Sequence, residues 1–205
     1  GLSTPLDRFN RGSPLLLGLS ERLYSPLWVV HRLDKWTSGV IVFARTAQSH
    51  RALNMQFERH TTQKIYHALV HGAPKWEQQR VSLPLRPDGD RRRRTVVDPL
   101  HGKPAQTDLL ALERLPDFTL VQAAPRTGRT HQIRCHLAEL GHPIAGDTLY
   151  GGKPLPELGR FGLHAFSLQF DHPRSGERVA FQAAYPEDLE AAIGALRSRR
   201  ATQPG

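Results

Sequence analysis

Apolar residues occur along this chain in short runs, each closed by turn-forming residues. Leu27-Trp28-Val29-Val30 and Val40-Ile41-Val42-Phe43-Ala44 are continuous apolar runs of strand length. Residues 1–26, rich in Gly, Pro, Ser and Leu, read as irregular structure leading into the first of them. Thr46 can cap a helix in which His50, Leu53 and Phe57 recur at helical spacing, ending near His60. Residues 64–71 alternate about Ile65 and Leu69 and predict a half-buried strand, closed by Gly72-Ala73-Pro74. Further strands are predicted at 81–85, 95–97, 106–113 and 119–123, with Pro, Asp and Gly between them. Thr130 predicts the cap of a helix over 131–140, with Ile133, Leu137 and Leu140 on one face and Gly141 at its end. Residues 164–170 and 178–184 flank a Pro- and Gly-containing turn and predict a hairpin. Residues 186–196 form a terminal helix with a proline in its first turn, and 197–205 a frayed tail. Many strands with few helices imply an α+β fold, a mixed and mainly antiparallel sheet with flanking helices.

Composition narrows the setting. The 205 residues suffice for one substantial domain or two small subdomains sharing a core. No run of apolar residues is long enough for a membrane span, and no basic-then-apolar leader is present. Cys135 is the sole cysteine, which cannot staple a fold and fits a reducing compartment. A cytoplasmic protein without membrane contact is therefore expected. Lys and Arg number 28 against 19 Asp and Glu, a net charge of +9. Most of the excess is arginine, whose planar fork suits phosphate and stacks on bases. The balance favours a polyanionic partner, most simply RNA or DNA, although net charge alone also fits a merely soluble surface.

Two segments concentrate chemistry. His31-Arg32-Leu33-Asp34-Lys35-Trp36-Thr37-Ser38-Gly39 places one carboxylate among basic and polar residues between two apolar runs. An ionised aspartate can serve as nucleophile, base or metal ligand. By itself such an aspartate is more often a turn residue bonded to local backbone, here through Thr37 or Ser38. Arg126-Thr127-Gly128-Arg129-Thr130-His131-Gln132-Ile133-Arg134-Cys135-His136-Leu137 gathers three arginines and two histidines at a helix start, where anions are favoured. The competing reading is a solvated helix face. Arg134 follows the core position Ile133 and should sit at its buried edge, where it needs an anion; Asp34 is the natural candidate. His67 and His71 are too far apart along a strand to share a metal, and His131 and His136 fall on different helix faces, so no metal site is expected. Residues 91–94 are a run of four arginines, either a phosphate-touching hairpin loop or a solvated one.

Together these segments resemble the RluA family of RNA pseudouridine synthases. His31-Arg32-Leu33-Asp34-x-x-Thr37-Ser38-Gly39 matches that family's catalytic signature at every fixed position. Lys64-Ile65-Tyr66 is similar to its second motif, and residues 126–134 are similar to its third. His142-Pro143-Ile144-x-Gly146-Asp147-x-x-Tyr150-Gly151 and Pro186-Glu187-Asp188-Leu189 continue the match in order, over nearly the whole chain.

The resemblance implies a single catalytic domain whose two subdomains flank a central basic cleft. It implies a catalytic aspartate at Asp34, a tyrosine at Tyr66 that packs on the target uracil and helps move its proton, and Arg134 paired with Asp34. Arg32 would hold the place of the flipped-out nucleotide, and Thr37, Arg126, Arg129, His131 and Ile133 would line the substrate and RNA site. Ribosomal or transfer RNA would be the partner, acted on by a monomer with no protein partner, no metal and no cofactor. The family's opening strand and its Lys-Pro-Ala-Gly turn precede the segment aligned with Gly1-Leu2-Ser3 and are not among these residues, so a missing N-terminal strand is expected, with RNA affinity resting on the domain's own basic cleft. The alternative from another class is a non-catalytic RNA-binding or RNA-chaperone module. It would share the charge, but it has no use for a bare carboxylate beside phosphates.

Overall fold

The computed structural model describes residues 14–23 and 26–201. In chain order the elements are α1 (Pro14–Leu23), β1 (Trp28–Val29), β2 (Ser38–Gly39), β3 (Phe43–Ala44), α2 (Ala47–Glu58), β4 (Gln63–His71), β5 (Gln78–Ser82), β6 (Leu85–Arg86), β7 (Val96–Val97), β8 (Gln106–Leu115), β9 (Phe118–Pro125), α3 (Gln132–Glu139), a 3₁₀ turn (Thr148–Tyr150), β10 (Leu163–Asp171), β11 (Arg178–Gln182) and α4 (Glu187–Ala201). The paired strands β1–β3, β4–β9, β5–β8, β6–β7, β8–β9 and β10–β11 are all antiparallel, as the α+β reading requires. The chain divides into two compact units, one formed by residues up to Lys64 with Ala165–Ala184, the other by Ile65–His164 with the residues from Tyr185 onward.

In the first unit, β1 and β3 pair through Trp28–Ala44 and Val29–Phe43. Thr46 caps α2, its Oγ1 accepting from the Ser49 N–H at 3.1 Å, as its position before the periodic run predicts. β10 and β11 form the expected hairpin. Leu53 and Phe57 of α2 meet Leu168 and Phe170 of β10 in one apolar cluster that also takes in Trp28, Val40 and Val42. The Gln56 side chain both donates to the Asp171 carbonyl at 2.8 Å and accepts from its N–H at 2.7 Å, acting as a short piece of strand.

The second unit contains strands β4, β9, β8 and β5 side by side in that order, so β4 lies beside β9 and not beside its successor β5. Ala68, Val70, Val121 and Ala123 pack with Ile133 and Leu137 of α3. Leu69, Leu115, Phe118 and Leu120 pack with Leu189, Ile193 and Leu196 of α4. The sheet is thus covered by a helix on each face, and residues 67–70 are all buried.

Five expectations need correction. Residues 14–23, expected as loop, form α1: Pro14 suits a first helical turn and Gly18 hides the period that follows. Residues 1–13, 24 and 25 of that loop lie outside the described residues. The strand expected at 40–44 shrinks to Phe43–Ala44, because the Val40 N–H goes to the Ala165 carbonyl and the Val42 N–H to a histidine ring. The strand expected at 81–85 splits into β5 and β6 around Pro84, which has no N–H for a ladder. The cap of α3 is His131, in left-handed conformation at φ 50°, instead of Thr130. α4 runs on to Ala201, so residues 197–201 are helix where a frayed tail was expected; Arg197 is tied to Glu113 at 2.8 Å and Arg199 to Glu157 at 2.7 Å. Residues 202–205 lie outside the described residues.

Candidate functional site

The signature segment is held in the first unit by its own side chains. His31 stacks on Phe57 with ring centroids 4.7 Å apart. Its Nε2 accepts the Val42 N–H at 3.1 Å, which requires an unprotonated nitrogen there. Burial, reinforced by the Lys64 ammonium, pushes the His31 pKa down to about 4, so the ring is neutral and suited to accepting. Leu33 is buried, and Asp34, half-buried, begins a turn in which the Thr37 N–H donates to the Asp34 carbonyl at 2.9 Å. The bond that closes this turn is between backbone groups of Thr37 and Asp34. Thr37 Oγ1 is buried with no hydrogen-bond partner among the described residues. Gly39 has φ +110°, and a Cβ there would meet the Ala165 carbonyl oxygen at 2.2 Å. The adjacent Val40 N–H donates to that same oxygen at 2.9 Å, fixing the end of the segment against β10. Arg32 and Lys35 are exposed around the turn.

The other expected site residues fall in the second unit. Tyr66 is half-buried on β4 and packs on the cluster that contains Ile133, which is itself buried. Arg134, buried in α3, donates from Nε to Asp147 Oδ2 at 2.6 Å and from Nη2 to Oδ1 at 2.9 Å. Its guanidinium lies 4.9 Å from the Tyr150 ring centroid and 4.5 Å from that of Phe161. The anion that a buried arginine demands is thus supplied inside this unit by Asp147, a residue that sequence reasoning placed in a motif but did not assign to the site.

The segment leading into α3 is organised by buried Gln132. Its amide nitrogen donates to the Gln106 carbonyl and Thr107 Oγ1, each at 2.9 Å, and its Oε1 accepts from Thr127 Oγ1 at 2.6 Å and the Arg129 N–H at 3.1 Å. His131 Nδ1 meets the Tyr150 hydroxyl at 3.0 Å, and that hydroxyl also accepts the Thr95 N–H. Burial pushes the Tyr150 pKa up to about 12, so it stays a neutral phenol in this network. Arg126 is exposed and pairs with Asp108 at 2.7 Å; Arg129 Nε donates to the Pro104 carbonyl at 3.0 Å. Of the arginine run, Arg94 is committed to Asp90 at 2.6 Å, while Arg91, Arg92 and Arg93 are exposed. Among the described residues no group of three or more His, Cys, Asp and Glu side chains could hold a metal ion, and no helix is long and apolar enough to cross a membrane.

Asp147, Tyr150 and Gln132 were missed because each works by closing a contact distant in sequence. A signal was present for Asp147: it follows Gly146, whose φ of +80° marks a forced turn, and precedes Tyr150 in a compact polar motif.

A family model described as RNA pseudouridylate synthase matches residues 7–139. The uncharacterized RNA pseudouridine synthase YlyB of Bacillus subtilis is 42% identical over 170 residues, a match covering 82% of this chain and 55% of that protein. Ribosomal large subunit pseudouridine synthase C of Pasteurella multocida is 39% identical over 204 residues, covering 93% of this chain and 63% of that protein. The chain therefore spans less than two thirds of either relative. The solved structure of human RNA pseudouridylate synthase domain containing 1 superposes with a TM-score of 0.74 at 27% identity, covering 93% of this chain and 86% of that one.

Proposed function

Because the chain belongs to the RNA pseudouridylate synthase family, we propose that it isomerises uridine to pseudouridine in RNA. Relatives named for the ribosomal large subunit favour ribosomal RNA as the substrate over transfer RNA. The observation that carries this reading is the folded signature: a half-buried Asp34 at the head of a turn pinned by neutral His31 on one side and Gly39 on the other.

The reaction breaks the bond between uracil N1 and ribose C1′, turns the base, joins C5 to C1′, releases the C5 proton and leaves a proton on N1. Atoms and electrons balance within the nucleoside, so the chemistry asks for no redox partner and no added group. Asp34, ionised, acts on the sugar as nucleophile or as base. Arg134, which Asp147 holds in place, also pairs with Asp34 and orients it. Tyr66 stacks on the uracil and relays its proton; such stacking is worth about 1–3 kcal/mol. The base must leave its stack, which costs a few kcal/mol, and Arg32 takes its place. Thr37, whose hydroxyl awaits a partner, contacts the substrate, and Arg126, Arg129 and His131 bind the flanking RNA, while Ile133 backs Tyr66 from the core. We read the protein as a cytoplasmic monomer that needs no protein partner.

The test is carbodiimide mapping of an unmodified large-subunit ribosomal RNA transcript after incubation with the protein. A defined uridine should convert with the wild type and remain uridine with Asp34→Asn. Binding without conversion by the wild type would point instead to a non-catalytic RNA-binding module.

A further inference from the structure

The arginine run at 91–94 lies in a hairpin too small to hold its own position. β6 and β7 pair through Leu85–Val97 and Arg86–Val96 in a sheet of two strands. A hairpin that short is marginal by itself, so the groups its ends are tied to decide where its loop points. The loop is ordered internally. The Asp90 carboxylate accepts the Arg92 and Arg94 N–H groups, each at 3.0 Å, and Arg94 Nε at 2.6 Å, while the Gly89 N–H donates to the Arg94 carbonyl at 2.8 Å. Arg91 and Arg92 lie in this loop and are exposed.

The hairpin is seated differently on its two sides. On the β6 side, Leu85 exchanges two backbone bonds with Lys103, each of 2.9 Å. On the β7 side, directly after the arginines, the tie is Tyr150. Its hydroxyl accepts the N–H of buried Thr95 at 3.0 Å, and its ring centroid lies 6.0 Å from the Arg94 guanidinium, whose Nη1 donates to the Leu149 carbonyl at 3.4 Å. The same hydroxyl meets Nδ1 of His131, the cap residue of α3, at 3.0 Å. One buried phenol thus joins the strand that follows the arginine run to the start of α3, and all of these residues belong to the second unit. Cations bind a polyanion best when their spacing is fixed beforehand, because less ordering is then left to the moment of binding.

Resting on the proposed pseudouridine synthesis, we propose that the arginine loop and the start of α3 form one phosphate-binding surface for the substrate RNA, and that Tyr150 is the positioning residue that sets the loop against the helix. Arg91 and Arg92 meet phosphates from the loop, and Arg126 and Arg129 meet them from the segment before α3. Tyr150 touches no RNA and acts through these arginines.

The experiment uses the full chain and a short stem-loop RNA carrying the uridine that mapping identifies. Tyr150→Phe removes the hydroxyl and keeps the ring beside Arg134. It should raise KM by roughly fivefold with kcat little changed, and reduce the slope of log K against log salt by about 1. Arg91→Ala with Arg92→Ala should raise KM at least as much, and adding Tyr150→Phe to that pair should raise it no further. Arg94→Met, which cuts the same tie nearer the surface, should follow the same pattern and decides the question if Tyr150→Phe does not fold. An unchanged KM, or a rise that persists in full once Arg91 and Arg92 are gone, overturns the inference, the second result placing the effect in His131 or in stability. Conversion by the wild type keeps the parent reading standing in either case. A wild type that converts no uridine overturns the parent reading, and this inference with it.

Discussion

Arg134 and Asp147 meet in a two-point ion pair whose side chains keep only 7% and 1% of their surface. Nε and Nη2 each take one carboxylate oxygen, and the guanidinium plane lies within cation–π distance of Tyr150 and Phe161. Removing one member of such a pair strands a buried charge, which costs about 3–5 kcal/mol, whereas replacing both with apolar residues is far milder. Asp147→Ala should therefore lose about 3 kcal/mol or more in urea unfolding, and the Arg134→Met, Asp147→Leu double variant should be clearly more stable than either single change. Near-additive single losses would show that the two residues do not act as a pair.

The His31 ring gives the fold an acid limit. Its pKa falls from 6.5 to about 4 on folding, chiefly by burial and then through Lys64. Between those values the unfolded chain holds a proton that the folded chain lacks. The contribution is therefore complete above about pH 6.5 and drains away as pH falls toward 4, by about 3 kcal/mol at most. His67, pushed down to about 4 by burial and then by His164, acts in the same direction. Urea midpoints should fall from about pH 7 to about pH 4.5, and His31→Gln, whose amide oxygen can still accept the Val42 N–H, should show a shallower fall. Parallel pH curves for the two proteins would remove His31 from the explanation.

The exposed run Arg91, Arg92 and Arg93 offers a different readout. Arg94 is bound to Asp90 and serves the loop, and its three neighbours in the run are exposed. If they meet phosphates of single-stranded RNA, changing all three to alanine should reduce the slope of log K against log salt by about 2. Filter binding to a ribosomal RNA fragment across a potassium chloride series measures it. An unaltered slope would make this a solvated loop.

The sequence made the candidate reacting groups visible and hid their supports. Asp34, Tyr66 and Arg134, the residues proposed for the chemistry, stand in contiguous motifs. Asp147 comes to Arg134 only after the chain has run through α3 and its following turns, and its local motif marks a turn without naming the partner. The two-faced burial of residues 67–70 was likewise invisible, since Ala, Leu and Val in succession suit one covered face or two. His131 displaced Thr130 as the α3 cap because Gln132 and Tyr150 fix the backbone before the helix, overriding the usual capping preference. Residues 40–42 looked like strand for a sound reason: all three are apolar and Val40 and Val42 pack, but a ring nitrogen and the Ala165 carbonyl take the N–H groups a ladder would have used.

That last arrangement bears on how the protein is made. Gly39 and Val40 are latched by Ala165, and the cluster beneath them is completed by Leu168, Phe170 and Val179. The segment bearing Asp34 leaves the ribosome before the second unit, yet its latch is synthesised only after almost all of that unit. Long-range closure of this kind is slow, and the early segment must wait for it with apolar residues uncovered. The order of synthesis thus makes the second unit a folding prelude, and a nascent chain halted before Ala165 would carry the whole signature without its latch.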